Sequence, residues 1–228
     1  MNFTILLSLI GFLILAPAQK VFCAEPKHNF AQWENEISAF EASDRTNPPP
    51  QHAILFIGSS TIRFWTTLAQ DFPGEPVINR GFGGSEILDS THFADRILFP
   101  YAPKTIFFRA GGNDIAAGKP PEAVFQDFKD FVALVHSKLP DTEIFFIGWN
   151  PTVLRWNNRD KEKILNDSVK GFSSQTPYVK YIETSDMVIG ADGKPRPELF
   201  RDDGLHFNAA GYKLLVARVR PYLPPPQN

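Results

Sequence analysis

Residues 54–65, ILFIGSSTIRFW, run apolar, break at Gly58 and present two adjacent hydroxyls, Ser59 and Ser60, ahead of a helix-like stretch. Taken alone, serines at such a junction cap helices. The alternative is that one of them is a nucleophile held on a tight strand-to-helix turn, where its oxygen stands clear of the backbone. Other groups able to do chemistry recur along the chain. They are Gly81, Gly83 and Gly84 in NRGFGGSE, Asn113 and Asp114 in RAGGND, Asn150 in GWNP, and Asp202, Asp203 and His206 in DDGLHFNAAGY. Together these supply a hydroxyl, amides, carboxylates, an imidazole and glycines that bare backbone N–H groups, which are the parts an acyl-transfer site requires.

Each of these stretches follows a short apolar run rich in Ile, Val and Phe or lies in the C-terminal segment. The runs predict strands at 53–57, 76–79, 105–109, 143–148 and 179–183. Helical spacing appears at 29–40 (Phe30, Trp33, Ile37, Phe40), at 121–139 (Val124, Phe128, Phe131, Val135), at 151–172 and at 208–222. Continuously apolar strands separated by helices predict a parallel sheet covered on both faces, an α/β sandwich. In such sheets ligands bind outside the carboxyl ends of the strands, which is where the reactive groups fall.

Composition narrows the partners. The 228 residues are 43% hydrophobic, enough for one sizeable core, and 23 basic against 25 acidic side chains give no electrostatic reason to expect nucleic acid or an anionic membrane. A neutral or small polar substrate is the expectation. Residues 3–16 form an uncharged apolar run followed by small residues, the pattern of a signal peptide and short for a membrane span. The reading is a signal peptide over 1–24, containing the only cysteine, Cys23, and a single domain over 25–228, secreted or periplasmic, without stable membrane association once the signal is cleaved; an uncleaved membrane anchor is the lesser reading. No His and carboxylate spacing matches a metal site, so neither metal nor cofactor is expected. GFGG lacks the Gly-Lys-Ser/Thr that would make it a phosphate loop.

The chain resembles the SGNH, or GDSL-type, hydrolases. Their four blocks are matched in order by Gly58-Ser59-Ser60-Thr61, residues 79–84, Gly111-Gly112-Asn113-Asp114 and Asp203-Gly204-Leu205-His206, over about residues 53 to 212. The resemblance implies a flavodoxin-like three-layer α/β/α sandwich with a parallel sheet, and metal-free hydrolysis of ester bonds. It makes Ser60 the nucleophile and gives the oxyanion hole to the backbone N–H groups of Ser60 and Gly84 and the Asn113 side-chain amide. A serine hydroxyl needs a base in contact, and His206 supplies an imidazole to take the proton and return it to the leaving alkoxide. Asp203, three residues earlier, is spaced to reach the imidazole and fix its tautomer.

Two positions depart from the pattern. Ser59 stands where the family's name motif has an acidic residue, and Ser85 stands where many members have Asp. Asp202 reads as a solvated neighbour and Asp114 as a local hydrogen-bond acceptor. His28, His52, His92 and His136 receive no chemistry. Trp149 and Asn150, with Trp156 and Asn157, follow the fourth strand and offer stacking surfaces and amides to a sugar, although for the tryptophans plain packing weighs equally. The favoured expectation is therefore an exported serine esterase working through a Ser-His-Asp triad, with a carbohydrate O-deacetylase as the sharpest subtype. Lipid or lysophospholipid acyl hydrolysis and O-acyl transfer stand as alternatives on the same site, and a non-catalytic binding module ranks last.

Overall fold

A computed structural model describes residues 28–223; the segment read as a signal peptide lies outside them. Five strands form one sheet in the order β2-β1-β3-β4-β5. They are β1 (Ile54–Gly58), β2 (Val77–Gly81), β3 (Thr105–Arg109), β4 (Glu143–Ile147) and β5 (Val179–Ile182). Every pairing is parallel, with Gly58 opposite both Gly81 and Arg109 in the ladder.

Because side chains alternate across a strand, the apolar runs feed two cores. Leu55, Ile57, Ile106, Phe108, Ile144 and Phe146 face one side, and Ile54, Phe56, Phe107, Phe145 and Ile147 face the other. The first side is covered by α1 (Glu34–Thr46) and by short helices that include α4 (Ile87–His92) and α5 (Ala94–Ile97). The long α7 (Pro121–Lys138) and α8 (Arg159–Ser173) complete that layer. The second side is covered by α2 (Ser60–Arg63), α3 (Leu68–Asp71) and α9 (Ala209–Val219). The remaining helix, α6 (Gly112–Ala116), starts just beyond β3. This is the flavodoxin-like three-layer α/β/α sandwich that the four blocks imply. Among the described residues no helix is long and apolar enough to cross a membrane.

One expected helix is shorter than its periodicity suggests. The 151–172 stretch becomes helical only at Arg159, after a 3-10 turn at Trp156–Asn158. Thr152 Oγ1 accepts the Arg155 N–H at 3.1 Å, folding 152–155 into a turn that lies over the sheet's carboxyl edge instead of entering the helix.

Candidate active site

The turn after β1 is set by glycine. Gly58 has φ +142°, and a Cβ there would lie 2.1 Å from the Arg109 carbonyl oxygen, so the strands can close together only without a side chain. The Ser59 N–H then donates to that same carbonyl at 3.0 Å, and the Ser59 carbonyl accepts from Ile62 and Arg63. Ser59 is buried, and its side chain makes no cap hydrogen bond. Ser60, the first residue of α2, is half-buried and lines a narrow cleft together with Asn113, Arg155 and His206.

The C-terminal loop brings an imidazole to this cleft. His206 Nδ1 lies 2.7 Å from Asp203 Oδ2, and Asp203 Oδ1 accepts the N–H groups of Leu205 and His206 at 2.8 and 2.9 Å. Partial burial works to raise the Asp203 pKa. The His206 N–H, the imidazole and the Leu205 N–H outweigh it and hold the carboxyl down at about 2. An ionised Asp203 is therefore the acceptor that fixes the imidazole's orientation. Phe64 packs edge-on against the His206 ring, centroids 4.9 Å apart. Asn208 caps α9, its Oδ1 accepting from Ala210 and Gly211, and Tyr212 donates to the Thr61 carbonyl at 2.9 Å, tying the loop to the serine's helix.

Opposite the serine, Asn113 Nδ2 donates to the Ser85 carbonyl at 3.0 Å and its Oδ1 accepts from Arg155 Nη1 at 3.0 Å. These two contacts fix which end of the amide is which and leave one N–H proton of Nδ2 uncommitted. Gly84, beside Ser85, has φ +88° and packs so near Trp33 that a Cβ would sit 3.0 Å from the indole. Among the described residues neither the Ser60 nor the Gly84 N–H donates to a backbone carbonyl. Gly84 itself does not line the cleft; it joins the site through the Ser85–Asn113 contact.

Trp149 and Asn150 line the cleft, yet both are engaged from within. The Trp149 ring is 8% exposed, lies where a Cβ on Gly112 would come within 2.6 Å, and donates through Nε1 to the Ala110 carbonyl at 3.0 Å. Asn150 accepts from Arg109 Nη2 at 2.6 Å and donates to the Pro151 carbonyl at 3.2 Å. Packing, not an open stacking face, is what these positions supply, because the strand ends converge on them.

Sequence reasoning missed the charged groups beneath and beside the cleft. Arg109 is fully buried at the end of β3, stacked 4.6 Å from Trp149 and donating to Asn150 and the Gly148 carbonyl. Burial pushes its pKa down to about 10 against the opposing pull of Glu162. Glu162 is 3% exposed with Oε2 unpartnered, and burial raises its pKa to about 7 although Arg109 and Arg155 pull the other way. Its signal was available: Glu162 shares the core-facing stripe of α8 with Leu165, Asn166 and Val169. Asp114 is buried and accepts the Ile87 N–H at 3.3 Å. Burial foremost, then the Glu86 charge, raises its pKa to about 7. Asp202 is exposed, and His28, His52, His92 and His136 do not line the cleft. Among the described residues no group of three or more His, Cys, Asp or Glu is placed to hold a metal ion.

A parallel α/β sandwich that gathers a serine, an Asp–His pair and an amide at the carboxyl edge of its sheet has the architecture of an ester hydrolase. The model of the GDSL-like Lipase/Acylhydrolase family matches residues 48–214, and the chain belongs to that family, a hydrolase acting on ester bonds. No curated protein matches the sequence. Among solved structures, the chain is similar to a Streptococcus pneumonia protein provisionally assigned to platelet activating factor. The TM-score is 0.74 at 22% identity, over 85% of this chain and 94% of that one. It is also similar to a GDSL-like lipase from Bacteroides thetaiotaomicron, with a TM-score of 0.67, 17% identity, and 85% and 96% coverage. A catalytic mutant of an acetylxylan esterase from Geobacillus stearothermophilus gives a TM-score of 0.60 at 14% identity, over 75% and 94%. At these identities the likeness is one of fold.

Proposed function

We propose that this chain is an exported serine esterase that removes short acyl groups, acetyl foremost, from carbohydrate alcohols. The observation that carries the reading is the Asp203–His206 pair, 2.7 Å apart, facing the cleft that Ser60 lines. In the reaction so read, the Ser60 oxygen attacks the ester carbonyl while its proton passes to His206. Asp203 holds the imidazole and stabilises the imidazolium. The oxyanion meets the Ser60 N–H and the uncommitted proton of Asn113 Nδ2, and the family pattern makes the Gly84 N–H, beside Ser85 at the cleft's margin, the third donor. Collapse expels the sugar alkoxide, which takes the proton from His206. Water, deprotonated by the same imidazole, then cleaves the acyl-serine and releases the carboxylic acid.

The preference for a short acyl group rests on size. The void bounded by Ser60, Asn113, Trp149 and His206 is about 20 Å³, which suits an acetyl methyl better than a long chain. The fold-level likeness to an acetylxylan esterase points the same way. Export rests on the sequence pattern of residues 1–24, with 25–228 as one domain.

The test compares acetate release from acetylated sugars and p-nitrophenyl acetate by the wild type, Ser60→Ala and Ser59→Ala. Ser60→Ala is expected at background and Ser59→Ala to retain a substantial part. A serine-directed fluorophosphonate should label Ser60, placed by mass spectrometry. Labelling of Ser59 with an active Ser60→Ala variant would overturn the assignment.

A further inference from the structure

Beyond the wall formed by Phe207, a second and larger hollow of about 500 Å³ opens beside the cleft. Phe64, Thr67, Arg201, Asn208 and Lys213 are among its walls, and it is ample for a sugar ring. It neighbours the cleft across Phe207, which borders both spaces, and Phe64 in its wall lies edge-on to His206.

The charge of this hollow differs from that of the whole chain. Arg201 and Lys213 are both exposed, and neither forms an ion pair among the described residues, whereas Arg80, Arg96 and Arg218 each hold a carboxylate. Arg201 is braced: its Nε donates to the Phe207 carbonyl at 3.2 Å and its guanidinium stacks 4.5 Å from the Phe64 ring. That fixes one face of the guanidinium and leaves both terminal nitrogens without an intramolecular hydrogen bond among the described residues. The one acid in the wall, Asp71, is turned to other use, with Oδ2 accepting from Trp65 Nε1 at 2.7 Å and from Thr67 at 2.6 Å. On the loop beyond, Asp203 is held by the imidazole and Asp202 is solvent-exposed.

We infer that this hollow receives the alcohol portion of the substrate and that this portion is anionic, a saccharide bearing a carboxylate or a phosphate that Arg201 and Lys213 hold. The inference rests on the esterase reading of the adjoining cleft. It sharpens the expectation of a neutral or small polar substrate drawn from the overall charge, because net charge averages over a surface whose sign varies locally.

The experiment measures kcat/KM for acetate release, at low salt, from an acetylated methyl glucuronoside and from its neutral glucuronamide counterpart. An acetylated methyl glucoside 6-phosphate provides a third arm and p-nitrophenyl acetate the reference. The acid should exceed the amide by about fivefold, the upper range of an exposed ion pair, and the advantage should shrink as salt rises. Arg201→Gln and Lys213→Gln should each lower the acid-to-amide ratio, and the double variant should bring it near one. A phosphate substrate that outperforms the uronate would support the inference and name phosphate as the anion. Hydrolysis of p-nitrophenyl acetate and of both uronate derivatives with a ratio of one, or a ratio unmoved in the double variant, would overturn the inference alone. Absence of hydrolysis of every ester would overturn the esterase reading and this inference with it.

Discussion

Replacing Asn113 with alanine removes three things at once: a proton aimed at the cleft, a donor to the Ser85 carbonyl and an acceptor for Arg155. Loss of an oxyanion donor costs about 2.7–4 kcal/mol of transition-state stabilisation, a fall in kcat on the order of 10²–10³. That contact is strongest once the carbonyl has become tetrahedral, so kcat and kcat/KM should fall together with KM nearly unchanged. Asn113→Asp separates donation from the Arg155 contact. The carboxylate still accepts from Arg155, but both amide protons, including the one given to Ser85, are gone and a negative charge faces the oxyanion. Under the donor reading Asn113→Asp is at least as slow as Asn113→Ala; under a role confined to holding Arg155 it is the faster of the two. Steady-state kinetics on p-nitrophenyl acetate for the three proteins, with thermal melts to verify folding, decide between them. A raised KM at unchanged kcat in Asn113→Ala, or substantial activity in Asn113→Asp, would refute the oxyanion assignment.

His206→Ala should fall to background in the same assay, Asp203→Asn should slow kcat by as much as about 10⁴ through loss of the held tautomer, and the exposed Asp202→Asn should change little; equal losses at the two aspartates would contradict the pairing. Glu162 holds its proton to about pH 7 in the folded state against an ordinary value of 4.5. The native protein therefore binds more protons than the unfolded chain across that window and loses stability as pH rises through it. Glu162→Gln should flatten the pH dependence of the unfolding free energy from urea melts between pH 4.5 and 7 by on the order of 3 kcal/mol, leaving the slope of like sign from Asp114; an unchanged profile would show that Glu162 is not buried as described. Asp203 acts in the opposite sense, its stabilisation present above its ordinary range near 3.8 and lost as pH falls through about 2. Gly58→Ala forces a Cβ against the Arg109 carbonyl at a backbone angle unfavourable to alanine, and should cost about 3 kcal/mol or more, read as a lowered melting temperature or loss of soluble protein.

The sheet was legible because strands buried on both faces carry continuous apolar centres, as Ile106-Phe107-Phe108 does in β3, which was placed to the residue. The ends of β1 and β2 were placed early, since Gly58 and Gly81 pair in the ladder without contributing an apolar signal. The helix after Ser59 was read from the strand-to-helix turn, whereas single-turn helices such as α3 and α6 left no periodicity to read, because tertiary contacts set them. Around the cleft, the Asp203–His206 contact was legible from a spacing of three within one loop. Arg109, Arg155 and Glu162 were not, because a charged residue in a sequence reads as solvated until the fold removes its water.

Asp203 and His206 are assembled by contacts inside one short loop, while Ser60 belongs to a turn made at the other end of the described chain. The two pieces meet through the apolar face that Phe207, Tyr212, Leu215 and Val219 share with the sheet and through hydrogen bonds such as Tyr212 to Thr61, which spans 151 positions. The candidate site is thus a two-part assembly, and its alignment reduces to how one terminal cassette seats on the sheet. A cut in the exposed turn at 191–194 would part the Ser60 side from the Asp203–His206 loop and leave the apolar seat of α9 on the sheet as a surface able to rejoin them.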